Sequence, residues 1–92
     1  MSKREKLRQR LRNNPKGIKF ADVETLLLRF DFKLVRVTGS HHIFRFDGET
    51  ENAKLVIPVH GNNVKAEYVK EVIEVLDKLF PEQNSEETEN DD

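Results

Sequence analysis

Residues 33–46 read KLVRVTGSHHIFRF, and this stretch decides the fold. Apolar and polar side chains alternate on both sides of Gly39-Ser40, a period of two that predicts strands rather than a helix. A two-residue loop with glycine first is the type II′ pattern that joins antiparallel strands. The stretch therefore predicts a β-hairpin, with one strand over residues 33–37 and the next over residues 41–46.

The loop also fixes which side chains share a face of this hairpin. Three pairs should lie opposite one another: Thr38 and His41, Arg36 and Ile43, and Leu34 and Arg45. The other face is the apolar one, with Val35, Val37, His42, Phe44 and Phe46. Since a strand alternates its side chains, His41 should point away from the core with Arg36 and Arg45 near, whereas His42 should point toward the core.

The flanking segments predict an α+β domain of order α-β-β-β-α. Apolar residues at helical spacing predict helices over residues 20–30 and 64–80. Residues 54–59 predict a third strand, in which Leu55, Ile57 and Val59 face inward. Pro58 lacks an N–H and needs a strand end or an edge. We therefore expect a three-stranded antiparallel sheet with both helices packed on one face.

Charge divides the 92 residues into three parts. Residues 1–19 carry eight basic side chains and one acid, which we interpret as a basic extension with a short helix over residues 3–12. This extension either attracts phosphates or presents a solvated helix face. Residues 20–80 form the domain. Residues 81–92 carry six acids and no base and predict a disordered acidic tail, which either solubilises the chain or competes with RNA for the extension.

Composition excludes several classes of protein. The chain has no cysteine, which removes disulfides, thiol nucleophiles and cysteine-based zinc sites. Its apolar runs are far shorter than the roughly 20 residues of a membrane-spanning helix. The charged N-terminal stretch does not fit a signal peptide, so a cytosolic protein without a membrane partner is the expectation.

His41 has the chemistry that RNA cleavage needs. Histidine can take and give a proton near neutral pH, and such a group can activate the 2′-hydroxyl of RNA for attack on the adjacent phosphate. Guanidinium groups such as those of Arg36 and Arg45 can hold that phosphate. The alternative is an ordinary surface histidine. His41 and His42 point to opposite faces with no acid at ligand spacing, so we expect neither a metal nor another cofactor.

Two motifs separated by about a dozen residues carry a family resemblance. The resemblance rests on Gly39-Ser40-His41-His42-Ile43-Phe44 and Ile57-Pro58-Val59-His60-Gly61, with Asn13-Asn14-Pro15 and Phe32. Over roughly residues 11–80 the chain resembles the HicA family of toxins in toxin–antitoxin pairs. That resemblance implies a fold like that of double-stranded-RNA-binding domains and metal-independent cleavage of messenger RNA. It also implies that the histidine after Gly-Ser, here His41, is catalytic and is covered by a HicB-type antitoxin.

The family usually ends its first helix with Gly-Phe, where this chain has Asp31-Phe32. Asp31 follows the last apolar residue of the predicted helix, at the position where a left-handed residue ends many helices. Aspartate tolerates that conformation better than most residues do. We therefore expect the helix to end here as it does in the family.

Three further residues are candidates for the site. Ser40 either orients His41 or donates to a phosphate, unless it is only a loop residue. His60 is either a second proton-transfer group or a residue that holds the loop before the last helix. Lys65 begins that helix and should contact phosphates if the RNA-binding fold is present. Two other functions stay open, a non-catalytic RNA-binding module and a small partner-binding protein; loss of RNA cleavage on His41→Ala would exclude both.

Overall fold

The computed structural model describes residues 2–81, which form three helices and five strands. The helices are α1 (Lys3–Asn13), α2 (Phe20–Arg29) and α3 (Ala66–Leu79). The strands are β1 (Ile18–Lys19), β2 (Lys33–Thr38), β3 (His41–Asp47), β4 (Asn52–Pro58) and β5 (Asn63–Val64). The order β2-β3-β4 makes an antiparallel sheet, while β1 and β5 form a separate antiparallel pair. The α+β fold is thereby confirmed. Apart from Pro81, the predicted acidic tail lies outside the described residues.

The core lies between the sheet and the helices α2 and α3. From the sheet it takes Phe44, Leu55 and Ile57, each no more than 1 % exposed, as the alternation predicts. From the helices it takes the side chains at helical spacing: Val23, Leu26, Leu27, Val69, Val72 and Leu76. Along the opposite face of the sheet, Arg36, His41 and Arg45 are exposed. The helices therefore shield the core face over β3 and β4 and leave the histidine face accessible. The expectation that Val35 and Val37 lie on the covered side is wrong, because β2 is exposed along its length and each of the two is 51 % exposed.

The hairpin register is confirmed near the loop and differs beyond it. Thr38 lies opposite His41 and Arg36 lies opposite Ile43, as expected. The expected pairing of Leu34 with Arg45 is wrong, because the register shifts between Leu34 and Arg36. Val35 is the extra residue of this β-bulge. Leu34 therefore lies opposite Phe44 and Lys33 lies opposite Arg45. β2 is an edge strand, and a bulge there interferes with pairing to another chain.

The last helix begins two residues later than the apolar pattern predicts. Asn63 and Val64 are strand β5, which pairs with Lys19 and Ile18 of β1. Both strands are two residues long, too short to produce a period in the sequence. Pro58 is the final residue of β4, which satisfies its requirement for a strand end.

The end of α2 confirms the expectation for Asp31, whose φ is 70°. The Asp31 N–H donates to the Leu28 carbonyl oxygen at 3.1 Å, and the Phe32 N–H donates to the Leu27 carbonyl oxygen at 3.0 Å. These two bonds define a Schellman motif, which satisfies carbonyl groups at a helix end. The chain then turns directly into β2.

Helix α1 packs one side against α2 and α3 and leaves Lys3, Lys6 and Arg10 exposed on the other. Leu11 is fully buried in the core. The Arg8 side chain is 1 % exposed and donates to the carbonyl oxygens of Leu76 at 3.3 Å and Phe80 at 2.8 Å. Arg8 also contacts both carboxylate oxygens of Glu5 at 2.9 Å. The buried guanidinium therefore satisfies the carbonyl of Phe80, which the helix end would otherwise leave unpaired, and adds a second donor to that of Leu76, which also accepts from the Phe80 N–H.

A second arginine of α1 holds Asp77 of α3. Arg12 makes two parallel hydrogen bonds to the Asp77 carboxylate, of 2.7 and 2.8 Å. The hydrogen bond from Arg12 lowers the pKa of Asp77, and the charges of Arg12 and Arg8 act in the same direction. Partial burial acts in the opposite direction, but the pKa stays lowered.

None of the helices within residues 2–81 is long and apolar enough to cross a membrane.

Candidate functional site

The hairpin tip is a tight two-residue turn. Gly39 has φ 60°, and Ser40 does not share a positive φ. Because a type I′ turn needs positive φ at both positions, the geometry is that of type II′, as the sequence predicts. His41 is the first residue after the turn, and it lies between Thr38 of β2 and Pro58 of β4. Its side chain belongs to the uncovered face of the sheet and is exposed.

Main-chain hydrogen bonds hold the tip against the segment that follows β4. The Val59 N–H donates to the Ser40 carbonyl oxygen at 2.8 Å. One residue later, His60 and Asn63 exchange two main-chain bonds of 3.0 and 2.9 Å, which close the loop over residues 60–63. The Phe20 N–H then donates to the Asn62 carbonyl oxygen at 2.7 Å. The tip, this loop and the start of α2 are thereby joined in one region.

His42 has a different environment from His41. Its ring centroid lies 4.4 Å from that of Phe20, whose own ring lies 6.2 Å from that of Phe44. The Nδ1 atom of His42 is 3.4 Å from the Ser40 carbonyl oxygen. The prediction that His42 points toward the core is confirmed, and the residue is half-buried there. Sequence reasoning did not reveal the contact with Phe20, because Phe20 reads only as the first apolar residue of a helix.

The two candidate arginines lie at different distances from His41. Arg36 is exposed and lies opposite Ile43, a diagonal position from which Cβ atoms are about 7 Å apart. Arg45 lies four residues along β3, about 13 Å from His41 at roughly 3.3 Å per residue. Arg45 also forms an ion pair of 2.8 Å with Asp47. Arg36 is thus the cation nearer to His41, and its charge is not paired with Asp47 as that of Arg45 is.

Lys65 and His60 lie on the loop side of the tip. Lys65 immediately precedes α3 and is exposed, and within residues 2–81 it forms no ion pair. His60 is also exposed, and its main chain closes the loop through Asn63. The Ser40 hydroxyl makes no hydrogen bond to another described residue, whereas its carbonyl oxygen anchors the tip. His41 and Ser40 at the tip and His60 and Lys65 beyond β4 therefore belong to one end of the domain.

Sequence reasoning missed the contribution of β1 to this end. The pairing of β1 with β5 places Lys19 opposite Asn63, the residue that bridges to His60. A turn at Lys16-Gly17 leads into β1, and Gly17 has φ 69°. Helix-breaking residues such as Pro15 and Gly17 are typical of such a turn, but nothing in two residues of strand indicates the partner of β1.

The residue types of this end suit acid/base chemistry and anion binding. Among residues 2–81, no group of three or more His, Asp or Glu side chains converges in a way that could hold a metal ion. The guanidinium of Arg36 and the ammonium of Lys65 can bind an anionic substrate. The exposed imidazole of His41 can exchange protons with it. The uncovered sheet face leaves an extended substrate free to approach.

Comparison with known proteins identifies one family. The model of that family, described as the HicA toxin of bacterial toxin–antitoxin systems, matches residues 20–77. The match extends from the start of α2 to the last turns of α3 and includes the whole hairpin. No curated protein and no solved structure matches the chain significantly.

Proposed function

The chain belongs to the HicA toxin family of bacterial toxin–antitoxin systems, and on that premise we propose that it is an endoribonuclease that cleaves messenger RNA with His41 as its acid/base. The observation that supports this most directly is the exposed imidazole at the anchored hairpin tip. A catalytic group must be accessible to its substrate and held in position. His41 is exposed, and its main chain is fixed by β3 and by the anchored Ser40.

The proposed reaction uses the RNA itself as nucleophile. His41 removes the proton from a 2′-hydroxyl, and that oxygen attacks the adjacent phosphorus. The bond from phosphorus to the 5′-oxygen breaks, and the leaving oxygen takes up a proton. The products are a 2′,3′-cyclic phosphate and a free 5′-hydroxyl. Because the nucleophile is a substrate hydroxyl that a base can activate, the scheme requires no metal ion.

Positive side chains should hold the phosphates during this reaction. We assign the phosphate next to the scissile bond to Arg36, since it lies on the same face as His41 in the neighbouring strand. Two planar N–H groups of one guanidinium match two phosphate oxygens and stabilise the charge that develops on them. Lys65 and Ser40 would contact phosphates further along the RNA, on the opposite side of the hairpin tip from Arg36. Arg45 would serve a more distant phosphate, after giving up its contact with Asp47.

The proton for the leaving oxygen needs a donor. His41 can return the proton it has taken, or His60 can supply one from the loop that packs against the tip. The two routes differ in the effect of His60→Gln. A structural His60 would leave the cleavage rate of the folded protein unchanged, whereas a proton-donating His60 would lower it by about 10²-fold or more.

The family pairs each toxin with an antitoxin. We propose that the partner here is a HicB-type protein that covers His41 and the adjacent sheet face. That face is polar and basic around an exposed catalytic group, so a partner that covers it would exclude RNA. Since the proposed substrate is messenger RNA, we expect the protein to act in the cytoplasm.

Induced expression tests the proposal. Wild-type protein should arrest growth and produce messenger RNA fragments, while His41→Ala should do neither at an equal level of folded protein. Lys78→Gln is the control, because it removes one positive charge from the exposed last turn of α3, a residue with no role in the proposed site. Arrest and fragments that persist in His41→Ala would overturn the assignment of His41. Salt-dependent RNA binding without any cleavage would instead favour the binding module.

A further inference from the structure

We propose that the N-terminal extension adds a phosphate-binding subsite, formed by Lys16 and Lys19, beside the RNA-cleaving end of the domain. The inference rests on the proposed function, because the ligand is the RNA backbone that His41 would cleave. The match to the family model begins at residue 20 and includes neither lysine.

The arginines of α1 are used within the fold. Arg8 and Arg12 hold the end of α3, as described above. Arg4 lies over the ring of Phe30 at 4.4 Å, and Arg10 forms a 3.2 Å ion pair with Asp22 of α2. These side chains cannot bind RNA without giving up contacts that dock the helix. The phosphate attraction suggested by the basic composition must therefore come from lysines.

The lysines of the extension are exposed: Lys3, Lys6, Lys16 and Lys19. None of the four forms an ion pair with another residue of the described range 2–81. Lysine is a flexible point charge that serves well for contacts with a phosphate backbone. All four are therefore available for RNA, and their positions decide which of them can meet it.

The β1–β5 pair places two of the lysines at the active end. Lys19 lies opposite Asn63, whose main chain pairs with His60. Val64, the residue before Lys65, lies opposite Ile18, which follows the turn at Lys16-Gly17. The residue after Lys19 is Phe20, whose ring contacts His42 beside the catalytic position. Lys16, Lys19 and Lys65, which all lie on or next to the β1–β5 pair, are here called the basic cluster; the loop over residues 60–63 joins this pair to the hairpin tip.

The nearest acid on α2 does not neutralise this cluster. Asp22 is paired with Arg10, at 3.2 Å. Net positive charge therefore remains at Lys16, Lys19 and Lys65. An RNA strand held at His41 and Arg36 could continue across the tip onto these ammonium groups. The subsite would contact phosphates outside the scissile dinucleotide, and would raise affinity without taking part in the proton transfers.

Lys3 and Lys6 provide a matched control from the same extension. They lie toward the start of α1, where Arg4 contacts Phe30 and Phe80 at the far ends of α2 and α3. At about 1.5 Å per residue, Lys3 is roughly 15 Å from the end of α1 and further still from β1. Removing these two charges changes the net charge as much as removing Lys16 and Lys19 does.

The test measures binding of a labelled single-stranded RNA by the full chain carrying His41→Ala, over a series of salt concentrations. Each phosphate contact contributes about 0.7 to the slope of log affinity against log salt for a single strand. We expect Lys16→Gln with Lys19→Gln to lower that slope by about 1.4 and to weaken binding most at low salt. Lys3→Gln with Lys6→Gln should leave both unchanged. Thermal unfolding of each protein checks that the fold is retained.

Each outcome decides the proposal. If the two double variants bind alike, the subsite is wrong while the proposed ribonuclease activity stands on its own test. If the His41→Ala protein shows no salt-dependent RNA binding at all, both the subsite and the proposed function are wrong. A reduced slope only in the Lys16/Lys19 variant supports the subsite.

Discussion

Arg8 of α1 donates a 2.8 Å hydrogen bond to the carbonyl oxygen of Phe80, the residue that ends α3, although the two are 72 positions apart in the sequence. The Arg8 side chain is almost completely buried at this contact. The extension is therefore part of the folded domain rather than an arm attached to it, and the stability of the domain should depend on it.

Replacing Arg8 with methionine should destabilise the protein. The change preserves much of the apolar stem but leaves the carbonyl of Phe80 and the carboxylate of Glu5 without the Arg8 donor, while the carbonyl of Leu76 keeps the Phe80 N–H. We expect a loss of about 2–3 kcal/mol, from the usual value of hydrogen bonds to charged groups. Urea unfolding should give a lower midpoint with an unchanged slope.

Lys6→Met is the control, since Lys6 is exposed on the same helix. Its effect on the free energy of unfolding should be within about 0.5 kcal/mol. Equal midpoints for Arg8→Met and Lys6→Met would show that the buried guanidinium contributes nothing to stability.

The contact between Arg12 and Asp77 should weaken in acid. The pKa of Asp77 is lowered in the folded protein, first by its hydrogen bond to Arg12. The folded carboxyl thus binds its proton less readily than the unfolded one. Its contribution to stability is fully present above the unfolded pKa near 4 and is lost as pH falls through the folded value. Asp77→Asn should therefore cost stability at pH 7 and much less at pH 3, as measured by urea midpoints.

Glu71→Gln is a suitable comparison, because Glu71 is an exposed acid of α3 that forms no ion pair within the described residues. Its midpoint relative to wild type should change little between the two pH values. A difference between Asp77→Asn and wild type that is as large at pH 3 as at pH 7 would contradict the assigned cause.

Asp31→Gly should stabilise the protein. Asp31 holds φ at 70°, a left-handed conformation that costs an ordinary residue about 1–2 kcal/mol. Glycine removes this cost but loses more entropy on folding, about 0.5–1 kcal/mol. The net gain should be about 0.5 kcal/mol, with a higher thermal midpoint. Asp31→Ala should lower the stability, because alanine tolerates the left-handed conformation less well than aspartate does. If the glycine variant were no more stable than the alanine variant, Asp31 would not be strained.

The sequence predicted the hairpin tip well because the information there is local. Gly39 and Ser40 specify a turn type, and the turn type specifies the pairing of Thr38 with His41. The accessible His41 and the half-buried His42 follow from that pairing. Local chemistry also predicted the left-handed Asp31.

The features that the sequence did not predict all depend on distant contacts. The sequence alternates regularly both before and after the bulge at Val35, so nothing in it marks the extra residue. Counting residues from the turn therefore gives the wrong partner for Leu34. Arg8 reads as one more polar residue on a basic helix, because its burial requires the end of α3 to be present. β1 is a strand only because it pairs with β5, which is distant in the sequence.

The central claim is that His41 performs the proton transfer, and single-turnover cleavage of a defined RNA tests it most directly. The rate constant of His41→Gln should be compared with that of wild type, under conditions where both proteins are folded and saturated with RNA. We expect the rate for His41→Gln to be lower by about 10²-fold or more with affinity retained, and the wild-type products to end in a 2′,3′-cyclic phosphate. A rate for His41→Gln within a few-fold of wild type would contradict it.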